Sequence, residues 1–423
     1  MLSLVTKTGK FNIIKFEESL RTSGENFWRR RGEKRALELF HRAADLVPAY
    51  KDFLGKNKII PKKIQTMADF KNLVPIINKE NYINIYSTSD RCWNGDLSAE
   101  NLIAVSSGTS GQATYWPRGS EQEWESLIVH ELIYRYLFQV DVKKTLAIIG
   151  FPMGIYVSGI ATVLPTWLFA AKKYPITFVS AGNNKKEILE VVQKLGHQYD
   201  QVLLIGHPFF IKDVIETGVV KRIDWPSYKL KMMYCSEGFS ELWRSYVLRR
   251  AGLAYNLTDA VNTYGSSELL LMGHETPLTI LARRIFEDDS ALSQKIFGTE
   301  LVPQLFQYNP VLKYIEVIND ELIFTAHSGV PLVRFNLHDS GEILGFEDLC
   351  VILDEGRSGW REELSEKSSG VPLWQLPLVT LRGRSDQTII FYAANIYPEH
   401  VHLALSNRLF FGKITGKFTL IKG

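Results

Sequence analysis

The stretch Val105-Ser106-Ser107-Gly108-Thr109-Ser110-Gly111 decides how this chain is read. It follows the apolar run Leu102-Ile103-Ala104 and precedes a polar, aromatic run over 112–118. Hydroxyl side chains and glycines leave little bulk between the backbone and an approaching group, so N–H groups and hydroxyls can converge on an anion, phosphate above all. A Walker loop would close on Gly-Lys-Ser/Thr; here Gly111 is followed by Gln112 and Ala113, so the P-loop NTPase reading fails. A polar surface turn is the other reading of the same residues.

Around this loop the chain is long and of ordinary composition. Its 423 residues suit a large α/β core with an appendage, and 45% hydrophobic with 22% charged residues fits a globular protein. A net charge of +3 is too mild to imply a nucleic-acid partner, and the basic cluster Arg29-Arg30-Arg31-Gly32-Glu33-Lys34-Arg35 reads as a solvated helix face. Cys92, Cys235 and Cys350 are few, scattered and odd in number, which points to a reducing compartment, the cytoplasm. No zinc spacing is present, and His400 and His402 lack further ligands nearby. Lys7, Lys10 and Lys15 interrupt any signal-peptide core. The uncharged run 145–171 is long enough to span a bilayer, but Gly150, Pro152, Gly154, Gly159 and Pro165 punctuate it, so it reads as strand, turn and buried helix, with no transmembrane segment.

Periodicity organises the rest. Residues up to about Tyr86 are mostly helical, with Leu37, Phe40, Ala44 and Val47 at helical spacing. A helix through Trp124, Ile128, Leu132 and Tyr136 is followed by short apolar strands at 146–149, 176–179, 202–205 and 231–234, separated by helical patterns such as 185–195. Such alternation predicts a mostly parallel sheet, whose ligands lie beyond the carboxyl ends of strands. Cys235-Ser236-Glu237-Gly238 and Tyr264-Gly265-Ser266-Ser267-Glu268 each follow such a strand. From Glu321 onward the pattern turns to β, with 321–325 and 332–335 as strands, and 357–370 is polar enough to be a mobile loop.

Taken in order, the loop 106–111, Tyr264-Gly265-Ser266-Ser267-Glu268, Arg334-Phe335-Asn336-Leu337-His338-Asp339-Ser340-Gly341, Gly383-Arg384-Ser385-Asp386 and Asn395-Ile396-Tyr397-Pro398-Glu399 resemble the signature series of the adenylate-forming enzymes. Within them the chain is most similar to the phenylacetate-CoA ligase branch, which includes CapK-like and coenzyme F390 synthetase-like proteins. Arg42-Ala43-Ala44-Asp45-Leu46-Val47-Pro48-Ala49-Tyr50 and Met67-Ala68-Asp69-Phe70-Lys71-Asn72-Leu73-Val74-Pro75 extend that likeness over nearly the whole chain.

The resemblance implies an α/β fold: a large N-terminal domain over residues 1–381, with mostly parallel sheets and a β-rich subdomain, then a hinge and partial α+β C-terminal domain over 382–423. It implies ATP- and Mg2+-dependent activation of a small carboxylic acid as acyl-adenylate, with transfer to a thiol on coenzyme A or on the phosphopantetheine of an acyl carrier protein. Ser106, Ser107, Gly108, Thr109, Ser110 and Gly111 would wrap the β- and γ-phosphates, with Thr109 counted among the catalytic groups. Glu268 would hold Mg2+, since a hard cation wants oxygen ligands. Ser236, Glu237 and Gly238 would line the nucleotide, Tyr264 would offer a face to adenine, and Gly265, Ser266 and Ser267 would sit by the phosphates. Asp339 would accept from both ribose hydroxyls, and Arg384 would contact ribose or phosphate.

Each residue also has an ordinary reading: Tyr264 as core aromatic, Glu268 as a helix N-terminal acid, Asp339 as a turn residue. The acyl pocket is expected along 151–159 and just after Glu237, with Phe239 or Tyr156 facing the acyl group. The sequence departs from the pattern at Gln112-Ala113-Thr114, at Asn336-Leu337-His338-Asp339 and at Phe391-Tyr392-Ala393-Ala394, where a glycine is usual. After Asp386 only 387–423 remain, read as a helix around 401–409 and a strand around 418–421; Lys413, Lys417 and Lys422 fall too early for the distal lysine that the resemblance implies. Slow adenylation, by about 10²- to 10³-fold, is the expectation unless a separate C-terminal domain or partner supplies that cation. The alternative function is a non-catalytic nucleotide- or acyl-binding protein of the same fold, acting as partner or scaffold.

Overall fold

The computed structural model describes residues 13–99, 102–106 and 114–384, with 389–391, 394–396, 401, 404–405, 408–410, 413–414 and 418 beyond them. The chain begins with helices α1 (Ile13–Thr22), α2 (Glu25–Leu46), α3 (Pro48–Lys56) and α4 (Met67–Leu73), the last opened by a reciprocal Thr66/Asp69 capping box. A π-helical turn, Lys79–Ile83, follows, held by the matching Asn78/Asn81 pair. The hairpin β1 (Leu102–Val105) and β2 (Tyr115–Arg118) flanks the stretch 107–113, which lies outside the described residues together with Ser107, Gly108, Thr109, Ser110 and Gly111.

Next come α5 (Ser120–Leu132), β3 (Thr145–Ile149), α6 (Val157–Ala171), β4 (Ile176–Ser180), α7 (Lys185–Leu195), β5 (Gln201–Gly206), α8 (Pro208–Val220), β6 (Lys231–Cys235), α9 (Glu241–Arg250) and β7 (Ala260–Ser266). Strands β4, β3, β5, β6 and β7 pair in parallel in that spatial order. Every residue of β3 and β5 is buried, as expected for strands covered by helices on both faces.

The same sheet continues antiparallel through β8 (Leu270–His274), which returns from β7 as a hairpin. After α10 (Pro277–Asp288) and α11 (Ser290–Phe297) comes β9 (Gln304–Gln307), beside β8. A four-stranded sheet begins with β10 (Tyr314–Ile318), β11 (Glu321–Ala326) and β12 (Leu332–Ser340). Then β13 (Ile343–Leu344), α12 (Phe346–Gly356), α13 (Trp360–Lys367) and β14 (Leu378–Leu381) return the chain to the large sheet, while β15 (Gly383–Arg384) completes the small one alongside β12. Among the described residues the large sheet therefore has nine strands, parallel in one half and antiparallel in the other. Beyond it, β16 (Ile389–Phe391) pairs with β17 (Ala394–Ile396).

Two sequence expectations change. The polar stretch 357–370 is not a loop: α13 forms there because Trp360 and Leu364, a turn apart, are buried against the core. Arg35 is not on a solvated face, since its guanidinium reaches the buried Glu125 carboxylate and the Val311 carbonyl. Gly159 in α6 packs against backbone, because a Cβ there would run into the Pro152 carbonyl oxygen. The uncharged run resolves into β3 and the 15-residue α6, and among the described residues no helix is long and apolar enough to cross a membrane. The hinge residues Ser385 and Asp386, the Tyr397-Pro398-Glu399 segment, and most of the helix and strand expected at 401–409 and 418–421 lie outside the described residues.

Candidate functional site

A cavity of about 590 Å3 opens beyond the carboxyl ends of β3, β5, β6 and β7. Its wall takes Ser106 from the end of β1, the loop residues Ser236, Glu237 and Gly238 after β6, and Tyr264, Gly265, Ser266, Ser267 and Glu268 at the β7–β8 hairpin. Asp339 from β12 and Arg384 from β15 close it. Residues as far apart as 106 and 384 are thus brought to one wall.

Each is positioned by a specific device. Asp339 is neither in a turn nor exposed: it lies on β12, directly opposite Arg384 on β15. The Tyr264 hydroxyl donates to the Asp339 carboxylate. Burial and the neighbouring Asp339 push the Tyr264 hydroxyl well above its ordinary pKa, so it remains a donor. One face of the Tyr264 ring stacks on Phe306 at 5.5 Å, making this residue part of the core as well as of the cavity. Arg384 donates to the Leu337 carbonyl at 3.1 Å.

Glu268 caps no helix; it sits in the tight turn between β7 and β8, 5% exposed. Its Oε1 meets Lys79 Nζ at 2.8 Å, and among the described residues Oε2 has no partner. Lys79 also lines the cavity. One carboxylate oxygen therefore remains for a hard cation, a donor that suits Mg2+ completed by waters and phosphate oxygens.

The loop after β6 is held from behind by buried charge. Ser236 adopts φ +81°, the left-handed region that a serine rarely occupies, and such outliers persist only where the surroundings fix them. Arg283 donates to the Phe239 carbonyl at 2.5 Å, Gln304 donates to the same carbonyl at 2.9 Å, and Asn262 donates to the Glu237 carbonyl at 3.1 Å. Behind them Glu241 and Glu275 share Arg244 and Arg283: Arg244 reaches Glu275 at 2.6 Å and Glu241 at 2.8 Å, and Arg283 reaches Glu241 at 2.7 Å. Burial alone would raise the Glu241 pKa, but the two arginines outweigh it and hold the carboxyl below its usual range. Glu275 also accepts the Asn262 N–H at 2.6 Å, tying the network to β7.

At the other end the cavity is lined by Phe151, Val157, Ala161, Ile205 and Met233, with Ser158, Thr162, His130 and His207 among them. Of the expected acyl contacts, Phe151, Val157 and Ser158 are there. Phe239 is not; it packs against Trp243 at 4.7 Å in the core beneath α9. Tyr156 is 45% exposed and lies outside the wall.

A second cluster, Glu121, Glu125 and His327, has the residue types of a metal site. Arg35 and Lys313 already neutralise Glu125, and burial lowers the His327 pKa to about 4, so its Nε2, 3.0 Å from Glu121, makes a neutral hydrogen bond beside that ion pair and the cluster is accounted for without a metal. Sequence reading missed Lys79, His130, His207, Asn262 and Gln304. The Asn78/Asn81 capping pattern marks the turn that carries Lys79, but nothing in sequence links it to Glu268.

Comparison with known proteins agrees with this architecture. The chain is similar to 2-hydroxyisobutyryl-CoA ligase in the postadenylation state, with a TM-score of 0.65 at 12% identity over 92% of this chain and 74% of that one. It is also similar to the GH3.15 acyl acid amido synthetase, with a TM-score of 0.54 at 13% identity over 91% and 72%. At such identities the likeness establishes the fold, and this chain has the adenylate-forming fold. No family model matches the sequence. A local likeness, 29% identity over 99 residues, connects 22% of the chain to 24% of the 1-deoxy-D-xylulose 5-phosphate reductoisomerase of Synechococcus sp. (strain CC9311). The counterpart from strain CC9902 is 29% identical over 117 residues, 26% of this chain and 28% of that protein. The chain thus spans about a quarter of the length of the curated relatives it matches.

Proposed function

We propose that this chain activates a carboxylic acid with ATP, forming an acyl-adenylate that is passed to a thiol. The observation that carries the reading is the single cavity at the strand ends, where Ser106, residues 236–238, Tyr264, Glu268, Asp339 and Arg384 meet on the fold shared with acid-activating ligases. In the first step an oxygen of the acid's carboxylate bonds to the α-phosphorus and pyrophosphate leaves; in the second the thiolate sulfur attacks the acyl carbon and AMP leaves.

Binding and orientation are the protein's contribution. Asp339, held by Tyr264, accepts from the ribose hydroxyls; Arg384 supplies positive charge toward ribose or phosphate. The ring face of Tyr264 that Phe306 does not cover takes the base. The residues Ser106 to Gly111, Thr109 among them, hold the distal phosphates. Glu268 is the group that would hold Mg2+, which when bound supplies neutralisation of the triphosphate charge. The acceptor is coenzyme A or a carrier-borne phosphopantetheine, the setting is the cytoplasm, and a division at residues 381/382 leaves Gly383 and Arg384, which line the cavity, on the hinge side. The phenylacetate-CoA ligase branch is the finer assignment, resting on the motifs of the sequence.

The ion pair between Glu268 and Lys79 favours a second reading, a nucleotide-binding partner protein without catalysis, because a carboxylate already neutralised attracts a cation less. Acid-dependent exchange of labelled pyrophosphate into ATP, across aryl, fatty and amino acids, separates the two: exchange with one class supports activation, and ATP binding without exchange supports the partner.

Ribose recognition gives a further expected result. Asp339→Ala should weaken ATP binding by roughly 2 to 3 kcal/mol, about 30- to 150-fold, measured calorimetrically. Tyr264→Phe removes the hydroxyl and keeps the carboxylate, so its smaller effect isolates the part due to Asp339. Unchanged affinity in Asp339→Ala would remove Asp339 from the nucleotide site.

A further inference from the structure

Among the polar side chains at this end of the cavity, Ser158, Thr162, His207 and His130, the last presents a ring nitrogen whose role the proposed reaction leaves open. His130, near the end of α5, is 1% exposed and lines this end. Its Nδ1 lies 2.8 Å from the Ser126 carbonyl oxygen. A carbonyl only accepts, so Nδ1 carries the proton and the neutral tautomer leaves a lone pair on Nε2. Burial lowers the ring's pKa to about 4, so the imidazole is neutral and Nε2 is an acceptor throughout the neutral range. Among the described residues no donor reaches Nε2.

The same cavity wall includes Phe151, Val157, Ala161, Ile205 and Met233, which offer no hydrogen bonds from their side chains, together with Ser158 and His207, whose Nδ1 is enclosed and without a partner among the described residues. Thr162 is already committed, donating to the Ser158 carbonyl at 3.0 Å. A buried acceptor in such a wall penalises a ligand that leaves it unpaired and favours one that brings a donor. His130 Nε2 is such a contact.

We infer that His130 selects the acid, and that the substrate class is a carboxylic acid whose acyl part carries a hydroxyl or similar hydrogen-bond donor, accepted by His130 Nε2. The inference rests on the activation reading for its chemistry but on the cavity wall alone for its specificity. Unsubstituted acids of the same carbon skeleton are the disfavoured class.

The test uses pairs of acids that differ only by a hydroxyl, with the full chain. In pyrophosphate exchange the hydroxylated member of at least one pair should be favoured by about 10-fold or more. His130→Phe, which keeps a ring but no acceptor, should abolish or invert that preference while leaving ATP affinity unchanged, which also reports that the variant is folded. His130→Gln, which restores an acceptor oxygen, should recover part of it. Preference of the wild-type protein for the unsubstituted member of every pair, or a preference that survives in His130→Phe, overturns the inference. If no acid supports exchange, the activation reading fails by itself, and ligand-observed NMR of the same pairs decides the inference: tighter binding of the hydroxylated member upholds it, and equal or absent binding overturns it.

Discussion

Glu268→Gln is expected to lower acid-dependent pyrophosphate exchange by about 10²- to 10³-fold while adenosine binds as before. Glutamine has the same shape, so the β7–β8 turn is preserved and only the charge is lost. The available Oε2 is the oxygen through which a divalent cation would be held, and an amide is a far poorer ligand for it. The ion pair offers a competing explanation, since the same substitution leaves Lys79 without its carboxylate. Lys79→Met distinguishes them. If Glu268 acts by holding the metal, Lys79→Met loses much less activity than Glu268→Gln, and the double variant resembles Glu268→Gln alone. Equal losses in both single variants would assign Glu268 to the ion pair, and undiminished exchange in Glu268→Gln would remove it from the site.

Glu275→Leu has the largest expected effect on stability, about 3–5 kcal/mol, read from the denaturant midpoint. Glu275 is 0% exposed and shares Arg244 and Arg283 with Glu241, so its removal leaves two buried guanidiniums facing Glu241, with the Glu287 carboxylate 3.6 Å from Arg283 as the remaining partner. It also strips the Asn262 N–H of its acceptor. Because Arg283 and Asn262 hold the carbonyls of Phe239 and Glu237, part of the loss should appear as weaker ATP binding through the loop 236–238. Arg244→Met combined with Glu275→Leu should cost less than the sum of the two, as members of one network do. Acid should act on the same network: Glu241 has a depressed pKa in the folded protein, so its contribution is present above the unfolded value of about 4.5 and is lost as pH falls through the folded one. A loss under about 1 kcal/mol in Glu275→Leu would mean that solvent or rearrangement satisfies the arginines.

The parallel half of the sheet was legible because its strands are short apolar runs between helical periods, and 146–149, 176–179, 202–205 and 231–234 all fall within β3, β4, β5 and β6. The antiparallel half was not, since β8 and β14 are short apolar runs in which direction leaves no mark on composition, and β9 has only Leu305 and Phe306 between two glutamines. Helix α13 was missed because only Trp360 and Leu364 face the core, too few to show against six polar neighbours. Of the cavity wall, Tyr264, Glu268 and Asp339 could be singled out in sequence because each belongs to a contiguous motif. Lys79, His130 and Gln304 reach the cavity only through tertiary packing, Lys79 from a segment 189 residues before Glu268, and no local pattern reports such a meeting.

The most direct test of the central claim follows an atom. A single turnover is run with ATP and an acid labelled with 18O in its carboxylate, using the acid that gives the strongest pyrophosphate exchange, and the nucleotide product is analysed by mass spectrometry. Attack of the carboxylate on the α-phosphorus predicts AMP carrying one 18O once the acyl group has been transferred. Unlabelled AMP, or label in inorganic phosphate with ADP as the nucleotide, would contradict acyl-adenylate formation.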